Sequence, residues 1–105
     1  MISLNEDMPK MPGRAGVYQR KPIHDPNEIR VEEWTYEAGL DVKGHPHSTA
    51  SIAYVIKGKC KVLMNDQEYL LETGCYYYTP PGGYHAVTEI LEPTTILSIS
   101  VPQKK

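Results

Sequence analysis

The stretch GLDVKGHPHSTASIAYVIKG (residues 39–58) carries two histidines, His45 and His47, ahead of a short apolar run. Residues i and i+2 of a strand point to the same face, so both imidazoles would lie on one side. The apolar run, Ile52–Ile56, ends before Gly58 and is typical of a strand covered on both faces. Two imidazoles on one face, joined by a third from a neighbouring strand, can bind one metal ion. The stretch therefore predicts a β protein with part of a metal site.

A second stretch, GCYYYTPPGGYH (residues 74–85), supplies a candidate for the third histidine. A strand over Cys75–Thr79 is stopped by Pro80-Pro81, and Gly82-Gly83 allows a sharp turn. His85 would then enter the next strand from a fixed point, which is what a preorganised metal ligand requires.

Strand signals recur along the rest of the chain. The apolar phase changes within Ile29–Tyr36, which suggests a bulge in that strand. The pair Asn65-Asp66 tolerates positive φ and predicts a hairpin turn. Short strands separated by turn signals are typical of a sandwich, jelly roll or small barrel, so we expect an all-β fold. The candidate strands cover residues 17–20, 29–36, 52–56, 60–64, 69–71, 75–79, 85–91 and 95–101.

The length of the chain and the positions of its prolines and glycines predict the domain organisation. The chain has 105 residues, which predicts one domain. Residues 1–16 contain two prolines and two glycines and are expected to form an extended N-terminal arm, with the single domain over residues 17–105. A Pro-bearing connector is expected at 22–26.

Composition excludes several classes of partner. The net charge is −2, which provides no basic footprint for nucleic acid. No apolar run approaches the ~20 residues that span a bilayer, so no membrane partner is expected. Residues 1–9 lack a basic segment followed by an apolar one, and two cysteines are too few for a disulfide scaffold. We expect a cytoplasmic protein.

The two histidine stretches resemble the two signature motifs of the cupin superfamily, and the chain is similar to a small single-domain cupin of the cupin 2 type. The first motif, G-x5-H-x-H-x3/4-E-x6-G, is matched at Gly39, His45, His47 and Gly58. The second, G-x5-P-x-G-x2-H-x3-N, is matched at Gly74, Pro80, Gly82 and His85. The resemblance implies a double-stranded β-helix, the jelly-roll cupin barrel, with a metal inside.

The chain departs from the family pattern at two positions. Ser51 stands where the family has its Glu ligand, and Glu89 stands where the family has Asn. The resemblance then implies three neutral ligands, His45, His47 and His85, around a divalent transition metal (Fe, Mn, Zn, Ni or Cu). Such a site keeps the full charge of the ion and should favour anionic or enolate-type ligands.

Several other residues are candidates for the interior. If the same alternate positions of these strands face the interior as in the family, the inward-facing residues are Ser51, Ala53, Val55, Cys60, Val62 and Met64. Trp34 or Tyr36 is expected to line the wall of the pocket. At most two of Tyr76, Tyr77 and Tyr78 look inward, since they alternate faces. Acid–base chemistry needs a proton carrier beside the metal; the candidate catalytic residues are Tyr36, Tyr78 and Glu89, with Tyr84 as a further candidate.

Three functions remain open. The first is a metal-dependent enzyme acting on a small oxygenated organic acid, diketone or sugar derivative, resembling the three-histidine dioxygenases. The second is a non-redox isomerase, cyclase or lyase in which the metal is a Lewis acid. The third is a non-catalytic ligand-binding cupin with a degenerate site. The resemblance also implies a homodimer, formed by pairing of β-edges or exchange of the N-terminal arm.

Overall fold

Over its described residues, the chain folds into eight strands and one short 3-10 turn. The computed structural model describes residues 1–40, 42–46 and 49–101, and within them no α-helix is present. The predicted all-β class is confirmed. The turn spans Asn5–Asp7, and the strands are β1 Met11–Pro12, β2 Val17–Asp25, β3 Ile29–Tyr36, β4 Val42–Pro46, β5 Ser51–Met64, β6 Gln67–Glu72, β7 Tyr76–Thr79 and β8 Tyr84–Ser100.

Two long strands, β5 and β8, join the two halves of the barrel. The sheet order is β1-β2-β3-β8-β5-β6, with β4 added to β8 and β7 added to β5, and every pairing is antiparallel. The first half of β5 lies between β7 and the second half of β8, whereas its second half lies between β6 and the first half of β8. The two strands predicted at 85–91 and 95–101 are thus one strand that contributes to both halves.

Gly58 is the corner at which β5 passes from one half to the other. The β5–β8 register shifts repeatedly between Val55 and Cys60, and Gly58 has a φ of 105°. A Cβ on Gly58 would collide with the Pro93 carbonyl oxygen and lie 2.6 Å from the Thr94 Cα. Only glycine fits this close approach of two backbones.

The Asn65-Asp66 hairpin is confirmed, since both residues have positive φ, 53° and 62°, between β5 and β6. The bulge, however, was assigned to the wrong strand. The pairing of β3 with β8 is continuous, and the register shift lies on β2 between Arg20 and Ile23. Pro22 falls inside this shift, where a residue without an N–H is tolerated.

The phase change in β3 has a different explanation. Ile29 is 37% exposed on the outer face, whereas Tyr36 is buried, so apolar residues occupy both faces of the strand. The prediction that Ile52–Ile56 is covered on both faces is wrong. Ala53 and Val55 are buried, whereas Ile52 is 47% exposed.

The N-terminal arm pairs with its own chain. β1 is hydrogen-bonded to β2, and Arg20 Nη1 donates to Asn5 Oδ1 at 2.7 Å. Within the described residues, no helix is long and apolar enough to cross a membrane.

The core occupies the interior of the barrel. The predicted inward positions Ser51, Ala53, Val55, Cys60 and Val62 are all buried, whereas Met64 is half-buried. The buried core cluster consists of Val17, Tyr36, Ala53, Cys60, Val62, Val87, Ile90 and Ile96.

Candidate metal and ligand site in the barrel interior

His85 lies at the start of β8, directly after the turn at 80–83, as the sequence predicted. Its Nδ1 is 3.0 Å from the Thr79 Oγ1, and its ring meets the Tyr77 ring edge-on with a centroid separation of 5.1 Å. Thr79 is 1% exposed, so this bond is shielded from water. A hydrogen bond at one ring nitrogen fixes the orientation and tautomer of a histidine, as found for metal-binding histidines.

His45 is brought beside His85 by the strand pairing. β4 pairs with β8 so that His45 and His85 are directly opposite each other. The third predicted ligand, His47, lies outside the described residues. Among the side chains that the structure describes, those of residues 1–40, 42 and 49–101, no three His, Cys, Asp or Glu side chains converge on a metal position.

A row of polar residues crosses four adjacent strands on the interior face. Arg30 of β3 is opposite Ser100 of β8, Ser100 is opposite Ser51 of β5, and Ser51 is opposite Thr79 of β7. Alternation places this row, hereafter the polar row, on the same face as buried Ala53 and Ile96. Since Thr79 contacts His85, the polar row connects Arg30 to the histidine end of the interior.

The next interior row mixes polar and apolar residues. Glu32, Ser98, Ala53 and Tyr77 are aligned across β3, β8, β5 and β7. Glu32 accepts a hydrogen bond from Gln19 Nε2 at 2.8 Å. One row further on, Trp34, Ile96 and Val55 are aligned and pack against the core. The interior therefore changes from polar at one end to apolar at the other.

Three protonated acids lie in this interior. Burial raises the pKa of Tyr36 to about 12, partly offset by the positive charge of Arg14. Burial also raises the pKa of Tyr77 above its ordinary value, and it raises the pKa of Cys60 to about 11. At neutral pH all three are uncharged, so the phenols can donate protons or hydrogen bonds but are poor bases, and the thiol is a poor nucleophile.

The structure places two of the three candidate catalytic residues on the outside. Tyr78 is 55% exposed and points away from the interior, because it alternates with buried Thr79. Glu89 is half exposed and forms an ion pair with Lys61 at 3.6 Å. Tyr84 is also exposed. Tyr36 alone of the three candidates has its phenol in the interior.

Sequence reasoning missed Tyr77, Thr79 and Arg30. The sequence does not show which of the residues in the Tyr-Tyr-Tyr-Thr segment face the interior. Residues two apart in a strand face the same side, so an inward Thr79 requires an inward Tyr77. Arg30 carries no motif, and its inward orientation follows from its alternation with exposed Ile29, which the sequence cannot reveal.

Comparison with known proteins identifies the family. Residues 32–100 match the family model described as "Cupin domain". The chain is a cupin. The predicted superfamily and the jelly-roll fold are thereby confirmed. No curated protein matches the chain.

Solved structures agree with this assignment. KdgF from Halomonas sp. superposes with a TM-score of 0.88 at 16% identity, covering 99% of this cupin and 96% of that chain. An RmlC-like cupin from Shewanella frigidimarina gives 0.85 at 17% identity, covering 99% and 92%. A salicylate 1,2-dioxygenase from Pseudoaminobacter salicylatoxidans gives 0.74 at 16% identity, covering 83% and 26%. At these identities the likeness shows the fold alone.

Proposed function

We propose that this cupin is a metal-dependent enzyme that acts on a small oxygenated organic acid, diketone or sugar derivative bound in the barrel interior. His45, His47 and His85 would hold a divalent transition metal (Fe, Mn, Zn, Ni or Cu). The observation that carries the proposal is the alignment of His45 with His85 together with the Thr79 hydrogen bond at Nδ1. This bond would make Nε2 the ligating nitrogen of His85.

The residues present fit such a metal. Ser51 is buried in the polar row, so the position that bears a carboxylate in the family pattern offers a neutral hydroxyl here. A divalent ion held by neutral imidazoles keeps its full charge, which favours an anionic or enolate-type ligand. When bound, the metal would supply Lewis-acid polarisation of a substrate oxygen or a redox centre.

The chain's own groups would position the substrate and provide a proton. Trp34 and Tyr36 form apolar surface deep in the interior, which would hold the carbon skeleton. Tyr36 and Tyr77 are protonated at neutral pH, because burial raises both pKa values. Either phenol can hydrogen-bond a substrate oxygen that gains negative charge during the reaction.

A second candidate, a non-redox isomerase, cyclase or lyase, is favoured by the same two phenols. Such reactions on carbonyl compounds pass through enolate-like states that a neutral phenol stabilises as a donor. A non-catalytic ligand-binding cupin is the third possibility. The solved structures that superpose on this chain include a salicylate 1,2-dioxygenase and DMSP lyases.

Metal content is the first test. After reconstitution with Fe(II), Mn(II), Zn(II), Ni(II) or Cu(II), elemental analysis should find about one metal ion per chain, and less than about 0.1 would refute the metal site. His85→Ala and His47→Ala should each lose the metal while unfolding cooperatively. His24→Ala is the matched control, because His24 lies exposed on β2.

Activity then separates the candidates. The Fe(II) protein, prepared without oxygen, should consume O2 with one member of a panel of diketones, thiols and 2-oxo acids if it is a dioxygenase. Substrate-dependent exchange of carbon-bound protons with solvent, without O2 uptake, would favour the isomerase or lyase. Neither signal with a tightly bound panel member would favour the non-catalytic cupin.

We also propose that the protein is a homodimer. The outer face carries an apolar row across five strands, hereafter the outer row, which consists of Ile23, Val31, Ile99, Ile52 and Tyr78. Ile23, Ile52, Tyr78 and their outer-face neighbours Ile29, Tyr76 and Val101 are between 37% and 68% exposed.

A second copy of the chain fits this surface. The six exposed side chains leave on the order of 600 Å² open, which approaches the ~800 Å² per partner of a standard interface. The adjacent charges, Arg20 and Glu33, already neutralise each other at 3.0 Å. A flat apolar patch is self-complementary about a two-fold axis. The exposed outer row supports association of two copies through the outer face of the sheet, rather than through exchange of the N-terminal arm.

A further inference from the structure

The interior contains a cation that the proposed metal site does not use. Arg30 lies on the interior face of β3, and its Nε is buried without any hydrogen-bond partner in the described part of the chain. The ion pairs found there are Arg20–Glu33, Lys61–Glu68 and Lys61–Glu89, so Arg30 takes part in none. The Nε of Arg20 is also buried without a partner, but the Nη atoms of Arg20 bind Asn5, Met8 and Glu33. In the described part of the chain no nitrogen of the Arg30 guanidinium has such a bond, and leaving a buried donor unpaired is unfavourable, so Arg30 is suited to a partner from outside the chain.

Glu32, an acidic residue on the same face of β3, is hydrogen-bonded to Gln19 and not to Arg30. Glu32 is two positions along β3 and shares the interior face with Arg30. Its Oε2 accepts from Gln19 Nε2 at 2.8 Å instead of pairing with Arg30. The guanidinium therefore keeps its charge available for a ligand.

The surroundings of Arg30 are suited to a carboxylate. Its neighbours along the polar row are Ser100, Ser51 and Thr79, three hydroxyls that can donate to an oxyanion. A guanidinium presents two parallel N–H donors that match the two oxygens of a carboxylate. No acidic residue lies within this row.

The distance to His85 sets the size of the ligand. Arg30 and Thr79 are three strand spacings apart, about 14 Å along the curved sheet at ~4.8 Å per spacing. An arginine side chain is long enough to span part of this distance. A ligand with its reacting oxygens at the histidines would therefore carry the carboxylate several bonds away.

We propose that Arg30, with the hydroxyls of the polar row, is the subsite that binds the carboxylate of a small organic acid. This inference rests on the proposed function, because it places the opposite end of the same ligand at His45, His47 and His85. It narrows the three substrate classes to organic acids. Arg30 is a specificity-determining residue here, and the reacting atoms lie at the histidine end.

Binding tests the subsite without requiring turnover. Succinate, glutarate, 4-oxopentanoate and benzoate, each beside its neutral amide, would be titrated into metal-free and Zn(II)-loaded protein by NMR and calorimetry. We expect at least one carboxylate to bind about tenfold or more tightly than its amide. Arg30→Gln should remove that preference, and Arg30→Lys should retain part of it. Arg20→Gln, which removes the same charge from the outer face of β2, should leave it unchanged.

The outcomes separate the subsite from the metal proposal. Equal binding by the wild-type and Arg30→Gln proteins would overturn the subsite, as would failure of every carboxylate to bind at about 10 mM. If the protein takes up no metal but carboxylates still bind in an Arg30-dependent way, the metal proposal fails and the subsite stands. If metal binds and Arg30→Gln behaves as wild type, the subsite alone fails.

Discussion

The Thr79 hydroxyl lies 3.0 Å from Nδ1 of His85, across the turn that joins β7 to β8. Pro80-Pro81 and Gly82-Gly83 close this turn, with Gly82 at a φ of 78° and the Gly83 N–H donating to the Pro80 carbonyl at 2.8 Å. The turn therefore fixes both members of the hydrogen bond relative to each other. The histidine motif and the residue that orients its imidazole are parts of one local structure.

Replacing Thr79 with Val should weaken metal binding while preserving the shape of the side chain. Loss of the bond at Nδ1 frees the orientation of the His85 ring, and we expect a loss in metal affinity of about 10–100-fold. Zn(II) competition titration measures this loss. Thr95→Val is the matched control, because Thr95 is also buried but its hydroxyl pairs with Thr35. Equal losses in the two variants would mean that Thr79 does not act through His85.

The sequence was sufficient for the histidine spacing and for the class of fold. Glycine, proline and asparagine signals act locally, so the turns at Asn65-Asp66 and at 80–83 could be located without a structure. The face of each strand could be assigned only where polar and apolar residues alternate. Ile52–Ile56 and Tyr76–Tyr78 contain no such alternation. The sequence therefore does not reveal that Ile52 is exposed or which of the three tyrosines faces the interior.

The polar end of the interior could not be predicted from the sequence, for a different reason. Arg30, Ser100 and Ser51 are distant in the chain and meet only through the register of three strands. The register of β8 on β5 changes around the corner at Gly58, which is a tertiary feature. A serine or arginine in isolation carries no signal of an interior position.

Replacing Ser51 with Glu should tighten metal binding if position 51 faces the metal. Ser51 is 6% exposed and aligned with Thr79, so the new carboxylate would enter the interior beside His85. An anionic ligand should increase the affinity for Zn(II) by at least about tenfold, or ~1.4 kcal/mol. Ile52→Glu puts the same charge on the opposite face and should leave the affinity unchanged. An unaltered affinity in Ser51→Glu would place this position outside the site.

The same Ile52→Glu variant tests the homodimer. Ile52 lies within the outer row, and a carboxylate there would be desolvated in both copies at once. We expect the dimer dissociation constant to rise by about 100-fold or more, measured by sedimentation equilibrium or light scattering. Leu70→Glu, at a similarly exposed apolar position on β6, should remain dimeric. A monomeric wild-type protein would refute the interface, and a dimeric Ile52→Glu protein would move it elsewhere.

Alkaline pH should destabilise the fold through its buried phenols. The pKa of Tyr36 is about 12 in the folded chain against 10.0 for the free side chain, because burial disfavours the phenolate. Between these values the unfolded chain loses a proton that the folded chain keeps, so the free energy of unfolding falls as pH rises. Tyr36 accounts for about 3 kcal/mol of this decrease, at ~1.4 kcal/mol for each pH unit between the two pKa values.

Urea unfolding at a series of pH values from about 8 to 12 measures this decrease. Tyr36→Phe should be less dependent on pH above about 10 than the wild type, since it has no proton to lose at that position. Tyr69→Phe is the control: the Tyr69 ring is 44% exposed, so its removal should leave the pH dependence unchanged. If the free energy of unfolding depends on pH in the same way for wild type and Tyr36→Phe, the Tyr36 phenol has the same pKa in the folded and unfolded chains. The phenol would then be able to serve as a base, which contradicts its proposed role as a donor.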